Sequence, residues 1–439
     1  MRLRPLEADL SWAEPADLFT AAFADEPLVV WLDGSPVSYI GIGQRLATAS
    51  VADGTVTLDG VTERGEILDL LRDELAAADV APGEGFRLGW AGWLGYELRR
   101  QTLGVPVTRL SDRPDAALIF VDRLLAFDHA AGTLTALALT EDGLADLHNR
   151  ARRRAQGPVP ELVEGRVATW ADTDAEYLDM IRACQAAIYE GEAYQLCLTT
   201  EATVSGTPDP LGTYLRLRAG SPSHHGGYVR ADGVALLSAS PEQFLSVTPD
   251  GIVESKPIKG TRPRGGTPAS DAALARELLD SDKERAENLM IVDLMRNDIA
   301  RVSEVGSVAV TSLLAVESYA HVHQLVSTVR GSLQQGLGAV DAVAACFPAG
   351  SMTGAPKIRA VELLDAIEHR ARGVYSGVFG YFSLDGRADL AMVIRSIVID
   401  SNGATVGAGG GITALSVPEE ELAEVKLKAA ALLAALGAV

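Results

Sequence analysis

Pro257-Ile258-Lys259-Gly260-Thr261-Arg262-Pro263-Arg264-Gly265 sets a lysine between an apolar pair and a glycine, then a threonine, then two arginines flanking a proline. Proline fixes φ and glycine opens it, so the stretch reads as a shaped loop leaving a strand. A lysine held partly desolvated in such a turn can lose its proton and act as a nucleophile. Taken by itself, the stretch fits a surface lysine in a Gly/Pro loop better. The residues around it must decide.

Composition narrows the field. The chain has 439 residues, 47% of them hydrophobic and 22% charged, as in a folded globular protein with ample core. Its formal net charge of −21 argues against nucleic-acid or anionic-membrane partners, whose binding footprint is basic. An anionic substrate would therefore need a local cluster of Arg and Lys, or a metal ion. Cys184, Cys197 and Cys346 are scattered in no CxxC spacing, which indicates reduced thiols and a cytoplasmic home. The first residues hold no apolar leader, and the apolar stretch from Ala429 to Val439 is too short to cross a bilayer.

Upstream, residues 1–157 read as one mixed unit. Leu28 to Leu32 is strand-like and Glu66 to Ala78 helical, while Gly89-Trp90-Ala91-Gly92-Trp93 indicates close backbone packing around aromatic plates. Asn149 to Glu164, with Arg152-Arg153-Arg154, Gly157, Pro158 and Pro160, is the expected linker. After it, Asp174 to Tyr189 is helical and Ala193 to Thr199 a strand carrying Gln195 as a semi-buried polar group. Glu242, in Ser240-Pro241-Glu242-Gln243-Phe244, lies at a strand end beside a phenylalanine, where burial would raise its pKa and suit it to general-acid work. An exposed turn glutamate fits those residues equally well.

Downstream, Glu284 and Glu287 share one face of a helix that turns apolar at Leu289. Cys346 to Lys357 is expected to be a loop opening a helix to about His369, with Thr353 or Ser351 as cap and free amides as an anion site. An ordinary capped helix accounts for the same residues. Asp385-Gly386 turns a hairpin whose second strand is expected to carry Arg395 among Ala391, Val393, Ile397 and Ile399. A lone charge there needs an anionic partner, from the protein or from a substrate. Gly409-Gly410-Gly411 lets backbone approach a ligand, and Ser416-Val417-Pro418-Glu419 reads as a capping box. On the helix that follows, Glu421, Glu424 and Lys428 form one polar stripe, which a plain surface Glu424–Lys428 pair would also explain. Two separated Glu-x-x-Glu pairs suit Mg²⁺, and sparse histidine makes zinc a poor fit.

These motifs together resemble the chorismate-utilising enzymes, the family of anthranilate synthase and aminodeoxychorismate synthase large subunits. The likeness is carried by Ser240 to Phe244, the lysine stretch, Ala286 to Asp298, Gly354-Ala355-Pro356-Lys357-Ile358-Arg359-Ala360 and Gly409 to Ile412. It implies an α+β fold of antiparallel β-sheets packed as a sandwich with helices outside. It also implies an anthranilate-synthase-component-I-like region over residues 1–157, packed on a chorismate-binding catalytic region over residues 165–439.

Within that family Pro-Ile-Lys-Gly-Thr resembles the aminodeoxychorismate synthases, where anthranilate and salicylate synthases have alanine for Lys259. Gln195 stands where isochorismate and salicylate synthases resemble a water-activating lysine, and Gln324 where anthranilate synthases have a histidine linked to pyruvate loss. His323 is one residue out of that register. The resemblance thus implies attack of Lys259 on chorismate C2, with Glu242 as acid at the C4 hydroxyl. Gln195, Thr261, Thr353, Gly354, Tyr375, Arg395, Gly409, Gly410, Gly411 and Lys428 would bind substrate, and Glu284, Glu287, Glu421 and Glu424 would hold Mg²⁺. Ammonia from a separate glutamine amidotransferase subunit would then give 4-amino-4-deoxychorismate, the precursor of 4-aminobenzoate on the route to folate. The rival readings are an anthranilate synthase large subunit, isochorismate or salicylate formation, and a non-catalytic chorismate-binding scaffold. Two stretches depart from the family: Ser221-Pro222-Ser223-His224-His225 in one pocket wall, and Trp31-Leu32-Asp33-Gly34 where tryptophan-regulated relatives resemble Leu-Leu-Glu-Ser.

Overall fold

The computed structural model describes residues 4–78, 80–153, 165–319 and 322–438. Two twelve-stranded sheets dominate it, and every pairing within them is antiparallel. Five strands build the functional cleft: β1 (Gln195–Val204), β2 (Val234–Ser240), β3 (Ile258–Pro263), β4 (Val322–Ser332) and β5 (Gly403–Ile412). Helices α1 (Asp282–Ala300) and α3 (Pro418–Ala435) flank it, and α2 (Lys357–Glu368) follows the turn at its floor.

The first sheet places β2, Ser396–Asp400, β5 and β1 side by side, and the second ends on β4 and β3. Each sheet draws strands from both sides of residues 154–164. Trp31 pairs Tyr228 in the first and Trp93 pairs Phe379 in the second, so early and late segments are hydrogen-bonded into the same layers. The expected linker residues Gly157, Pro158 and Pro160 lie outside the described residues.

Central strands are buried on both faces, and successive side chains enter opposite layers, as with Val30 and Trp31. Between the sheets, Val30, Leu236 and Val398 of one meet Trp93 and Phe379 of the other. Helices cover both outer faces: Ile181, Leu364, Val425 and Leu432 pack on Leu198 and Val406, while Ile291, Met295 and Val343 pack on Leu245 and Val329. This is the α+β sandwich with outer helices that the sequence implies. Trp90 and Trp93 are fully buried, and a Cβ at Gly92 would stand 2.0 Å from the Ala117 carbonyl oxygen, so the Gly/Trp stretch is a packing device.

Four local expectations are corrected. The lysine stretch is an edge strand, β3, whose pairing to β4 slips between Ile258 and Thr261. Gly260, at φ +82°, forms the bulge that a side chain would strain. Arg395 is not on a strand: the hairpin ends at Met392, the next strand begins at Ser396 in the other sheet, and Arg395 takes φ +51° where the chain crosses between layers. Neither Ser351 nor Thr353 caps α2, because Pro356 takes the N-cap position without a side-chain bond. Nor does Ser416 cap α3: Val417 does, and the Ser416 hydroxyl donates instead to Glu421 Oε1 at 2.8 Å.

Candidate active site

A cavity of about 500 Å³ opens where β3 and β4 of the second sheet face β5 of the first. The helices α1 and α3 close its sides, and the turn before α2 forms part of its floor. Of the expected residues, Lys259, Glu242, Thr261, Tyr375, Arg395, Gly409 to Gly411, Lys428 and all four glutamates line it.

Lys259 projects from the bulged strand so that Nζ lies 3.7 Å from Oε2 of Glu287 on α1. Glu242, at the end of β2, faces the same ammonium. Burial pushes its carboxyl up to about 7, against the pull of Lys259 and hydrogen bonds from Ser351 and the Ile258 backbone. A carboxyl poised there holds or releases a proton near neutral pH, as a general acid requires. Glu242 is half-buried in the cavity wall rather than an exposed turn residue.

The carboxylates come from two helices. Glu284 and Glu287 are half-buried on α1, at the boundary where the helix becomes apolar. On α3, Val425, Ala429 and Leu432 enter the core, which turns the adjacent Glu421, Glu424, Lys428 stripe toward the cavity. Burial raises the Glu287 carboxyl, and the neighbouring charges of Glu284 and Glu421 add to this against Lys259 and Lys283. Glu424 is drawn the other way: burial opposes the shift, but Lys428, 2.7 Å away, holds its carboxyl below the ordinary range.

Among the described residues no three carboxylate, histidine or cysteine groups converge on one point. A donor set of carboxylates alone is nevertheless the chemistry of a hard cation, which needs only one or two of them when substrate oxygens and water complete its shell. All four already have a partner: Glu284 meets Arg262 at 3.5 Å, Glu287 meets Lys259 at 3.7 Å, Glu424 meets Lys428 at 2.7 Å, and Glu421 accepts from Ser416.

Cationic and backbone donors complete the opposite wall. Lys428 Nζ donates to the Gly409 carbonyl at 2.9 Å, and Arg395 Nη1 to the Lys428 carbonyl at 3.2 Å. Glycine is required at Gly409, where a Cβ would fall 2.5 Å from the Leu198 carbonyl oxygen. A Cβ at Gly411 would fall 2.5 Å from Gln195 Nε2 and 3.6 Å from Lys259 Nζ. Gln195 itself is buried behind this strand with both amide atoms unpartnered, so it abuts the wall without lining the cavity.

Thr353 and Gly354 are also corrected to a supporting place. The Thr353 hydroxyl donates to the Ala349 and Gly350 carbonyls at 3.1 and 3.2 Å, and Gly354 pairs with Leu196 of β1. Gln324 lines the cavity with a buried, unpartnered Oε1, whereas His323 faces away and bonds Asp271 and Ser318. Strand alternation separates the two. Sequence reading missed Lys283, Arg262, Cys197 and Ser351 as lining residues. Only Lys283 gave a signal, being one helical turn before Glu287. The divergent Ser221 to His224 segment walls an adjoining chamber of about 370 Å³ that shares Thr261, Gln324, Arg395 and Lys428 with the site.

A fold of two packed antiparallel sheets with lysine, glutamate pairs and glycine backbone meeting at one cleft defines the class. The chorismate binding enzyme family matches residues 29–434, and the chain belongs to that family. It is 43% identical to the aminodeoxychorismate synthase of Streptomyces pristinaespiralis over 95% of this chain and 63% of that protein. The chain thus spans less than two thirds of that relative's length. It is 39% identical to anthranilate synthase component 1 of Thermus thermophilus, over 92% of this chain and 89% of that protein. The crystal structure of anthranilate synthase component I from Streptococcus pneumoniae TIGR4 superposes with a TM-score of 0.81 at 29% identity, covering 91% of this chain and 92% of that one.

Proposed function

We propose that this chain aminates chorismate with ammonia, in the presence of Mg²⁺, to give 4-amino-4-deoxychorismate. The observation that carries the reading is Lys259 inside the cavity, facing both Glu287 and the poised acid Glu242. Arg395, Lys428, Tyr375 and the amides of Gly409 to Gly411 receive the substrate carboxylates. Lys259, as its neutral amine, bonds to C2, the adjacent double bond shifts toward C4, and the C4–O bond breaks as Glu242 gives its proton to the departing oxygen, so one hard substitution becomes two easier ones. Ammonia then bonds at C4 and the lysine leaves C2 with its electron pair. Glu287 and Glu424, supported by Glu284 and Glu421, would hold Mg²⁺, which supplies Lewis-acid polarisation of substrate oxygens.

Ammonia comes from a separate glutamine amidotransferase subunit. Supporting this, Cys184, Cys197 and Cys346 are all buried, and burial raises each thiol, to about 12 for Cys184 and Cys346. None has the lowered pKa of a glutaminase nucleophile. No helix among the described residues is long and apolar enough to cross a membrane. The cytoplasm is the proposed location.

Incubation with chorismate, Mg²⁺ and an ammonium salt tests the reading, with the product resolved by chromatography. Aminodeoxychorismate supports it. Anthranilate formed without a further lyase establishes the rival suggested by the Thermus and Streptococcus relatives. No turnover of chorismate leaves a binding scaffold.

A further inference from the structure

The segment from Cys346 to Lys357 is clamped far more tightly than a loop that merely walls a cavity. Lys357 Nζ, buried against Asp298, donates to the Cys346 and Pro348 carbonyls, each at 2.8 Å. Arg372 Nη1 donates to the Met352 carbonyl at 2.6 Å, and the Cys197 amide donates to the Thr353 carbonyl at 2.8 Å. The Thr353 hydroxyl holds Ala349 and Gly350. Gly350 itself is pressed onto α1, where a Cβ would come within 2.0 Å of a Leu294 methyl. All of this fixes one short turn, Gly350–Met352, and Ser351 is the only polar side chain that the turn presents to the cavity. Ser351 and Glu242 also share the small gap behind the cavity, beside Pro257 and Met392.

We propose that Ser351 is the positioning residue of the acid: its hydroxyl donates to one oxygen of the Glu242 carboxyl and turns the other toward the departing C4 oxygen. The proposal rests on the reading of Glu242 as general acid. A glutamate has three rotatable side-chain bonds, and a donor on a rigid turn selects one of its orientations. The same donation stabilises the carboxylate and so holds Glu242 down against burial. Lys259 on β3 is the charge that acts with it on Glu242. The remaining charges of the cavity stand on α1 (Lys283, Glu284, Glu287), on α3 (Glu421, Glu424, Lys428) and at Arg262 and Arg395.

The test compares Ser351→Ala and Ser351→Thr with the unmodified protein in chorismate consumption across pH. Ser351→Ala is expected to lower kcat about tenfold or more with KM held within about twofold, the loss of one hydrogen bond to a charged group. Its alkaline limb should move up by about one pH unit, because the unassisted carboxyl keeps its proton longer. Ser351→Thr, which retains the hydroxyl, should restore both. A fall in kcat without movement of the limb, or no change at all, overturns the proposal. Carbon-13 NMR of labelled glutamate carboxyls, assigned with Glu242→Gln, reads the titration without any reaction. A Glu242 midpoint unmoved in Ser351→Ala overturns the proposal, whereas an unmodified protein that leaves chorismate untouched overturns only the functional reading.

Discussion

Nζ of Lys259 lies 3.7 Å from Oε2 of Glu287, and the two residues come from an edge strand and from the helix packed against it. The distance is too long for a strong hydrogen bond and short enough for the charges to act on each other. The lysine is thus held over the cavity with its Nζ in no hydrogen bond of ordinary length. Lys259→Ala is expected to lower aminodeoxychorismate formation by at least about a hundredfold, the loss of a covalent route. Chorismate affinity, read by equilibrium binding, should stay within about threefold, because the carboxylate-binding groups stand on other elements. Unchanged turnover would reduce β3 to scaffolding.

The glutamate pairs predict how the metal requirement changes. On the proposed reading, Glu287→Gln and Glu424→Gln each remove a direct, charged donor to the metal, whereas Glu284→Gln and Glu421→Gln remove a supporting one. Titration of activity with Mg²⁺ should show the half-saturating concentration rising about tenfold or more for the first two substitutions. Glu284→Gln and Glu421→Gln should raise it less. Equal effects at all four positions would contradict the division between direct and supporting carboxylates. Chelation of the metal should abolish turnover in every case.

Much of this cleft was legible in sequence because its parts follow local rules. The helical spacing of Glu284 with Glu287, and of Glu421 with Glu424, already placed each pair on one face, and the strand-end position of Glu242 already suggested burial. Reading failed where tertiary pairing overrode local chemistry. Gly and Pro around Lys259 look like a loop, but β4 supplies a partner and Gly260 absorbs the mismatch as a bulge. Arg395 falls on a period-two pattern that continues across a change of sheet, which no spacing reveals. Ser351 and Thr353 both looked like helix caps. Only the clamps from Lys357, at the segment's own end, and from Arg372, beyond α2, decide that one faces the cavity and the other its own backbone.

Gln324 gives a prediction about product. It occupies the cavity wall where the resemblance assigns a histidine to pyruvate loss in anthranilate synthases, and its Oε1 is buried without a partner. Gln324→His would place a titratable nitrogen at that wall. 4-Aminobenzoate should then appear in reactions with chorismate, Mg²⁺ and ammonium, at the expense of aminodeoxychorismate, because the amine already stands on C4. The imidazole must also be neutral to accept a proton, so the 4-aminobenzoate share should grow as pH rises from about 6 to 8. A variant that still releases only aminodeoxychorismate would show that the wall residue does not select the product.

Glu242 links function to stability through pH. Its carboxyl sits at about 7 in the folded protein against an ordinary value of 4.5. The native state therefore binds the proton more tightly than the unfolded chain does. Stability falls as pH rises from the unfolded value through the folded one, and the full penalty is present above about 7. From the size of the shift that penalty is about 3 kcal/mol. Glu242→Gln removes the charge, so it should raise the melting temperature at pH 8, while at pH 4.5 the two proteins should melt together. The same substitution should lower kcat by about 10²- to 10⁴-fold, the usual worth of a general acid. In the unmodified protein, kcat should decline as pH rises through the Glu242 value, since the acid must carry its proton to the C4 oxygen. A variant that is inactive but no more stable at pH 8 would mean that the carboxyl is compensated in the folded state, and its assignment as the proton donor near neutral pH would fail.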